Sequence, residues 1–224
     1  MTVPRLAPST AELVIGYVSG PLTRHPDQAG ESTLGAVVAD AVQTGAKTFC
    51  ENVATLIDPR QLHADLGRSP RNQGDNTTEI TVAAALRALP FSEMATTVMV
   101  TGAQLHQVLE EQLGHGWPTI LQPSQQLSYH YSPHALAGSR VDPASITIGG
   151  TVVDAATTYK ISVSDTLRGD GGSPTLQAAP PIPNGSAGGI GGAGNGTLFD
   201  LLAAYLSTRN PLPVPTGGRV VRSA

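Results

Sequence analysis

Apolar residues at Leu34, Val37, Val38, Ala41 and Val42 follow the i, i+3, i+4, i+7, i+8 spacing of one helix face, which predicts a helix from about Thr33 to Gln43 ending at Gly45. Thr101-Gly102-Ala103-Gln104 has the spacing of a capping box, Leu105, Val108, Leu109 and Leu113 supply the stripe behind it, and Gly114 is the expected stop. A shorter helix from about Thr81 to Leu89 stops at Pro90, whose ring disfavours helical geometry in the preceding residue. Period-2 alternation and β-branched content mark strands at Leu13–Tyr17, Val53–Ile57, Thr96–Val100, Leu127–Tyr131 and Tyr159–Val163. Gly149-Gly150 separates two short β-branched runs, Ile146–Ile148 and Thr151–Val153, and predicts a tight hairpin. A last helix covers about Leu198–Ser207, after a Pro- and Gly-rich stretch at 180–196 that reads as a surface loop. Helices and hairpins mix without strict βαβ alternation, so the expected class is α+β.

Composition narrows the picture further. With 224 residues, 40% of them apolar, the chain can bury a sizeable core. Its 25 glycines and 18 prolines stay below the share, about a quarter, that marks a disordered chain. Thirteen basic and 17 acidic residues, with no run of either sign, exclude a nucleic-acid footprint and a polybasic membrane patch. No apolar run approaches the ~20 residues of a membrane span, so a soluble protein is expected. Met1-Thr2-Val3-Pro4-Arg5 has no apolar signal core, which implies a cytoplasmic location if Met1 is the natural start. The lone Cys50 excludes an internal disulfide and a cysteine-based zinc site; beside Phe49 it reads as a buried small residue.

Motif searches are mostly negative. Gly189 to Gly194 fits G-x-G-x-x-G, but a dinucleotide site needs a strand running into the first glycine, and Pro180-Pro181-Ile182-Pro183 precedes it instead. The six histidines show no metal-ligand spacing; His130 and His134 straddle Pro133 and share no helix face. No nucleophile elbow, phosphate loop or zincin motif occurs, and neither a metal nor a cofactor is expected.

An ordered set of segments nevertheless carries a resemblance. Gly30-Glu31-Ser32-Thr33-Leu34-Gly35 leading to Ala39-Asp40-Ala41, Leu89-Pro90-Phe91, Thr101-Gly102-Ala103-Gln104-Leu105 with Val108-Leu109-Glu110, Ile148-Gly149-Gly150 with Tyr159–Val163, and Leu201–Tyr205 follow one another along the chain. Together they resemble the E-S-x-L-G-N…ADA, L-P-F, L-T-G-x-x-L…L-E, I-x-G…Y-x-V and final-helix segments of the C-terminal domain of bacterial 5′-nucleotidases, matched over about residues 13–221 of a single domain, 1–224. The resemblance implies a layered α/β/β/α arrangement with mixed sheets. It implies that this domain binds the nucleoside part of a substrate, whereas an N-terminal metallophosphatase part holds two metal ions and hydrolyses it. None of that part's D-x-H or G-N-H-[DE] motifs occurs in this sequence.

The resemblance also names site residues. Phe91 matches one of two aromatics that sandwich the base. The second has no counterpart, because the G-G-D-G-[FY] loop reads Arg168-Gly169-Asp170-Gly171-Gly172-Ser173-Pro174. The N-x-G-G-I-R turn reads Asp58-Pro59-Arg60-Gln61-Leu62-His63, so both glycines are replaced and His63 stands for the arginine; Arg60 or Arg68 could stand in for it in space. Candidate binding residues are therefore Phe91, Asp58, Arg60, His63 and Asp170, with His63 and Asp170 the candidates for any catalytic role.

Three functions fit these residues. One is a module that binds a nucleotide- or nucleoside-like small molecule without the metallophosphatase half. Another is a metal-free enzyme whose pocket, lined by Phe91, His63, Asp58, Asp170 and Tyr129, has turned to acid/base or cyclisation chemistry on a non-nucleotide substrate. The third is a subunit partnering a separate metallophosphatase. The loops Asp58–His63 and Arg168–Pro174, each following a strand, are expected to meet beside Phe91.

Overall fold

Short strands and helices succeed one another with no repeating unit, as the switches of apolar period predict. The computed structural model describes residues 8–48, 50–51, 53–67, 77–89, 93–114, 120–169, 172–182 and 196–223. In chain order these form α1 (Pro8–Ala11), β1 (Val14–Val18), α2 (Thr33–Ala46), β2 (Val53–Ile57), β3 (Thr78–Thr81), α3 (Val82–Ala88), β4 (Ala95–Thr101), α4 (Gly102–Glu111), β5 (Gln122–Pro123) and β6 (Leu127–Tyr131). They continue with β7 (Thr147–Ile148), β8 (Thr151–Val152), β9 (Thr158–Ser164), α5 (Asp165–Arg168), α6 (Pro174–Ala178), α7 (Leu198–Thr208) and β10 (Val220–Arg222).

The central sheet has the order β4-β9-β2-β5, with β2 and β9 parallel and the other pairs antiparallel. A second mixed sheet runs β10-β6-β7-β8, and β1 pairs with β3. The α+β class with mixed sheets is thus the observed one. On the central sheet Ala54, Leu56, Val98, Val100, Ile161 and Val163 join a core with Leu105, Val108 and Leu109 of α4 and Leu127, Tyr129 and Tyr131 of β6. A second core packs α2 against α7, with Val37, Val38 and Val42 against Leu198, Leu202 and Leu206. Each such fully buried aliphatic side chain contributes about 1.5–3 kcal/mol over its exposed state.

The predicted helix starts and turns form for the predicted reasons. Thr101 accepts from the Gln104 backbone N–H while the Gln104 side chain accepts from the Thr101 N–H, closing the capping box. Gly149 and Gly150 have φ of 61° and 79°, the left-handed values a tight hairpin needs. Gly45, expected as a stop, instead lies inside α2: a Cβ there would sit 2.4 Å from Leu201 Cδ2, so its role is to let α7 approach. The stretch expected to be loop from residue 180 begins as pairing, for Met99 N–H donates to Pro180 O and Ile182 N–H to Thr97 O; residues 183–195 lie outside the described residues. Tyr129, proposed as a pocket wall, is fully buried in the first core, its hydroxyl against Gln112.

Two residues of the resembling first segment hold the C-terminus. Glu31 Oε2 accepts from the backbone N–H groups of Gly218, Arg219 and Val220 at 2.8, 3.0 and 3.1 Å. Arg219 donates to both oxygens of Asp40, at 2.9 and 2.7 Å, joining β10 to the middle of α2. Among the described residues no helix is long and apolar enough to cross a membrane.

Candidate functional site

The turn after β2 is built by its own side chains. Asp58, fully buried, accepts from the Arg60 backbone N–H at 2.8 Å and so caps the 3-10 turn Pro59–Gln61. Proline at the first position of that turn lacks the N–H that would otherwise go unpaired. The Arg60 guanidinium folds back on the same carboxylate, Nε at 2.9 Å and Nη2 at 2.5 Å from Oδ2. Hydrogen bonding to Asp58, then its charge, pushes the Arg60 pKa up further. Sequence reasoning placed Asp58 and Arg60 as ligand contacts; the structure shows them gripping each other, with the Arg60 side chain still 59% exposed.

Beyond this turn, Glu93 staples two helix starts. Its carboxylate accepts from Thr166 N–H at 2.8 Å and Thr166 Oγ1 at 2.9 Å at the start of α5, and its carbonyl from Leu198 N–H at 2.9 Å at the start of α7. Between turn and staple lies a pocket of about 210 Å³ lined by Arg60, Gln61, His63, Leu89, Glu93, Thr166 and Leu198. Leu89 and Leu198 are buried apolar walls, and His63 is exposed, its backbone N–H on Ala88 O. Arg60 and His63 thus share one pocket, and Asp58 stands behind it. Phe91, Asp170 and Arg68 lie outside the described residues, although Leu89 and Glu93 bracket the segment that holds Phe91.

The other expected loop is braced at its described ends by neighbouring elements. Arg168 donates toward Leu176 O and Ala179 O, and Ser173 and Thr175 both donate to Glu111 of α4. Thr166, just ahead of that loop, is its nearest described neighbour in the pocket lining.

Sequence reasoning passed over Gln61. The residue is 7% exposed and lines the pocket, while its Nε2 and Oε1 are closed to solvent and have no hydrogen-bond partner among the described residues. A buried amide with both atoms unsatisfied costs free energy, which singles it out. The only sequence signal was its position, where the resembling turn has a glycine.

A wider pocket of about 520 Å³ lies between α2, α7 and the segment 212–219, lined by Asp40, Gln125, Tyr205 and Arg219 among others. Its charged pair is already spent, since Asp40 and Arg219 satisfy each other. No group of three or more His, Cys, Asp or Glu able to hold a metal occurs among the described residues.

The sequence matches the family described as 5′-nucleotidase, C-terminal domain, over residues 14–178. No curated protein matches it significantly. Among solved structures, a 5′-nucleotidase precursor from Thermus thermophilus superposes with a TM-score of 0.75 at 18% identity, over 96% of this chain and 40% of that one. The Thermus thermophilus sulfate thiohydrolase SoxB, in complex with glycerol, gives 0.70 at 17% over 96% and 36%. The Haemophilus influenzae NAD nucleotidase gives 0.69 at 14% over 96% and 39%. The chain therefore spans well under half the length of these neighbours, and the likeness concerns the fold. With the family match running from β1 to the end of α6 and the fold shared nearly throughout, this chain belongs to the 5′-nucleotidase C-terminal domain family.

Proposed function

We propose that the chain is a small-molecule-binding module that takes a nucleotide- or nucleoside-like ligand in the pocket between the Asp58–His63 turn and the start of α5, with Phe91 and Asp170 as further candidate contacts from the family pattern. On this reading it lacks hydrolytic activity of its own, and hydrolysis resides in a metallophosphatase part, linked or separate. The carrying observation is that Arg60, Gln61 and His63 converge with Glu93 and Thr166 on one pocket whose walls, Leu89 and Leu198, are apolar. Convergent polar groups on an apolar floor are what small-molecule sites present. Two of the family pattern's binding features are replaced, so AMP and adenosine bind in the millimolar region, about −4 kcal/mol. Titrating AMP into the chain and its His63→Ala variant tests this: the variant weakens binding while the exposed position keeps stability within about 1 kcal/mol. Equal binding by both proteins contradicts it.

The reading as a metal-free enzyme draws on the same His63, an exposed imidazole at the rim where the family pattern has arginine. Turnover of a non-nucleotide substrate that is lost in His63→Ala, with folding intact, would favour it.

A further inference from the structure

We propose that the cavity between α2, α7 and residues 212–219 is a second binding site, one that takes a neutral hydroxyl-rich ring of the pyranose sugar class. Its volume, about 520 Å³, lies within the roughly 300–1,000 Å³ of small-molecule sites. The site is independent of the pocket beside the Asp58–His63 turn. Its outer wall is fixed in advance: Leu212 N–H donates to Tyr17 O at 2.8 Å, and Gly218 N–H donates to Glu31 Oε2 at 2.8 Å. A wall pinned at both ends needs no ordering when a ligand enters. Val37, Leu212 and Val214 give the cavity aliphatic surface.

Two polar atoms of this lining are unspent. Tyr205 Oη and Arg219 Nε have no hydrogen-bond partner among the described residues, and, unlike the Gln61 amide, neither is closed to solvent. Burial, then the Asp40 charge, pushes the Tyr205 pKa up, with Arg209 and Arg219 opposing. The phenol therefore stays protonated, able to donate, and close enough to the Asp40–Arg219 pair to feel both charges. Arg219 spends Nη1 on Asp40 Oδ1 and on the Ala36 and Pro123 carbonyls, and Nη2 on Asp40 Oδ2. Nε–H remains as a donor, and Asp40 Oδ2, which accepts only from Nη2, keeps a lone pair beside it. The two side chains are 11% and 12% exposed, so the pair reaches the cavity surface.

A donor beside an acceptor matches neighbouring hydroxyls of a sugar, one accepting from Arg219 Nε and the next donating to Asp40 Oδ2, with the Tyr205 hydroxyl serving a third. Charge argues against an ion. Asp40 and Arg219 cancel and no other charged side chain is in the described lining, so an ion of either sign would lose hydration without an uncompensated partner. The one aromatic ring of that lining, Tyr205, already carries the Arg209 guanidinium 3.9 Å from its centroid, so a nucleobase gains little here by stacking.

The test uses three ring probes on the whole chain, followed by 1H–15N and methyl NMR: methyl α-glucopyranoside, the hydroxyl-free 2-methoxytetrahydropyran, and the anionic methyl α-glucuronide. At millimolar concentration the glucoside is expected to shift the Ser128, Val214 and Arg219 signals. It binds about tenfold more tightly than the hydroxyl-free ether, the worth of about two neutral hydrogen bonds, and the glucuronide binds no more tightly than the glucoside. Tyr205→Phe, which keeps the ring beneath Arg209 and removes only the hydroxyl, weakens the glucoside about fivefold. Equal affinity of glucoside and ether, tighter binding of the glucuronide, unchanged affinity in Tyr205→Phe, or no shift at these residues overturns the assignment. The three-probe comparison on the unmodified chain decides the matter even if Tyr205→Phe does not fold.

Discussion

Gln61 leaves the protein with a cost that a single substitution removes. Gln61→Leu replaces a carboxamide, buried and unpaired at both atoms, by an apolar group of similar size in a lining that already holds Leu89 and Leu198. A buried unsatisfied polar group costs about 1–3 kcal/mol, while the leucine keeps most of the packing. The substitution is therefore expected to stabilise the unliganded chain by about 1–3 kcal/mol, against the usual tendency of buried substitutions to destabilise. For a domain of this size that is a rise in Tm of about 2–12 °C. Scanning calorimetry with urea titration of both proteins, without ligand, measures it. A loss of more than about 1 kcal/mol in Gln61→Leu would show the amide to be satisfied in the native state and would refute the reasoning.

Other parts of the structure make separate claims. Asp40→Ala leaves the Arg219 guanidinium buried without its partner and should cost about 3–5 kcal/mol in urea unfolding, with a smaller further loss when Arg219→Ala is added. Gly102→Ala drives a Cβ to 2.1 Å from the Asp154 carbonyl oxygen at the start of α4, and should lose about 1–3 kcal/mol despite the better helix propensity of alanine. Cys50 is buried and desolvation pushes its pKa up, so it should react with a thiol reagent at pH 8 far more slowly in the native protein than in urea. The chain alone should release no phosphate from AMP with added Mn²⁺; chelator-sensitive turnover by a phosphatase-free preparation would overturn the view that hydrolysis resides elsewhere.

Local rules carried the sequence reading a long way. The capping box at Thr101, the Gly149-Gly150 hairpin and the apolar stripe of α2 are short-range features, and each formed where its spacing placed it. Strands β3, β5 and β10 went unseen because two to four residues do not establish an alternation, and their pairing depends on partners far along the chain. Gly45 was misread for a related reason: the space left for Leu201 is set by a helix more than 150 residues away. The motif residues Glu31 and Asp40 were legible as a pattern, yet only the fold shows that they clamp β10. In the candidate site, the turn at 58–63 was legible as a segment, but which side chains it spends on itself and which it leaves free is a tertiary property. Asp58 and Arg60 look from sequence like ligand groups and are committed to each other; Gln61 looks ordinary, yet its buried amide is left unpaired.

The central claim is that a nucleoside-like ligand occupies the pocket beside the Asp58–His63 turn. Backbone and methyl chemical-shift mapping with millimolar AMP and uridine tests it most directly, because it locates a weak ligand without requiring turnover. The account predicts shifts confined to Arg60, Gln61, His63, Leu89, Glu93, Thr166 and Leu198 and to the adjoining segments that hold Phe91 and Asp170. Shifts centred instead on the pocket lined by Asp40, Tyr205 and Arg219, or none at saturating concentration, would contradict it.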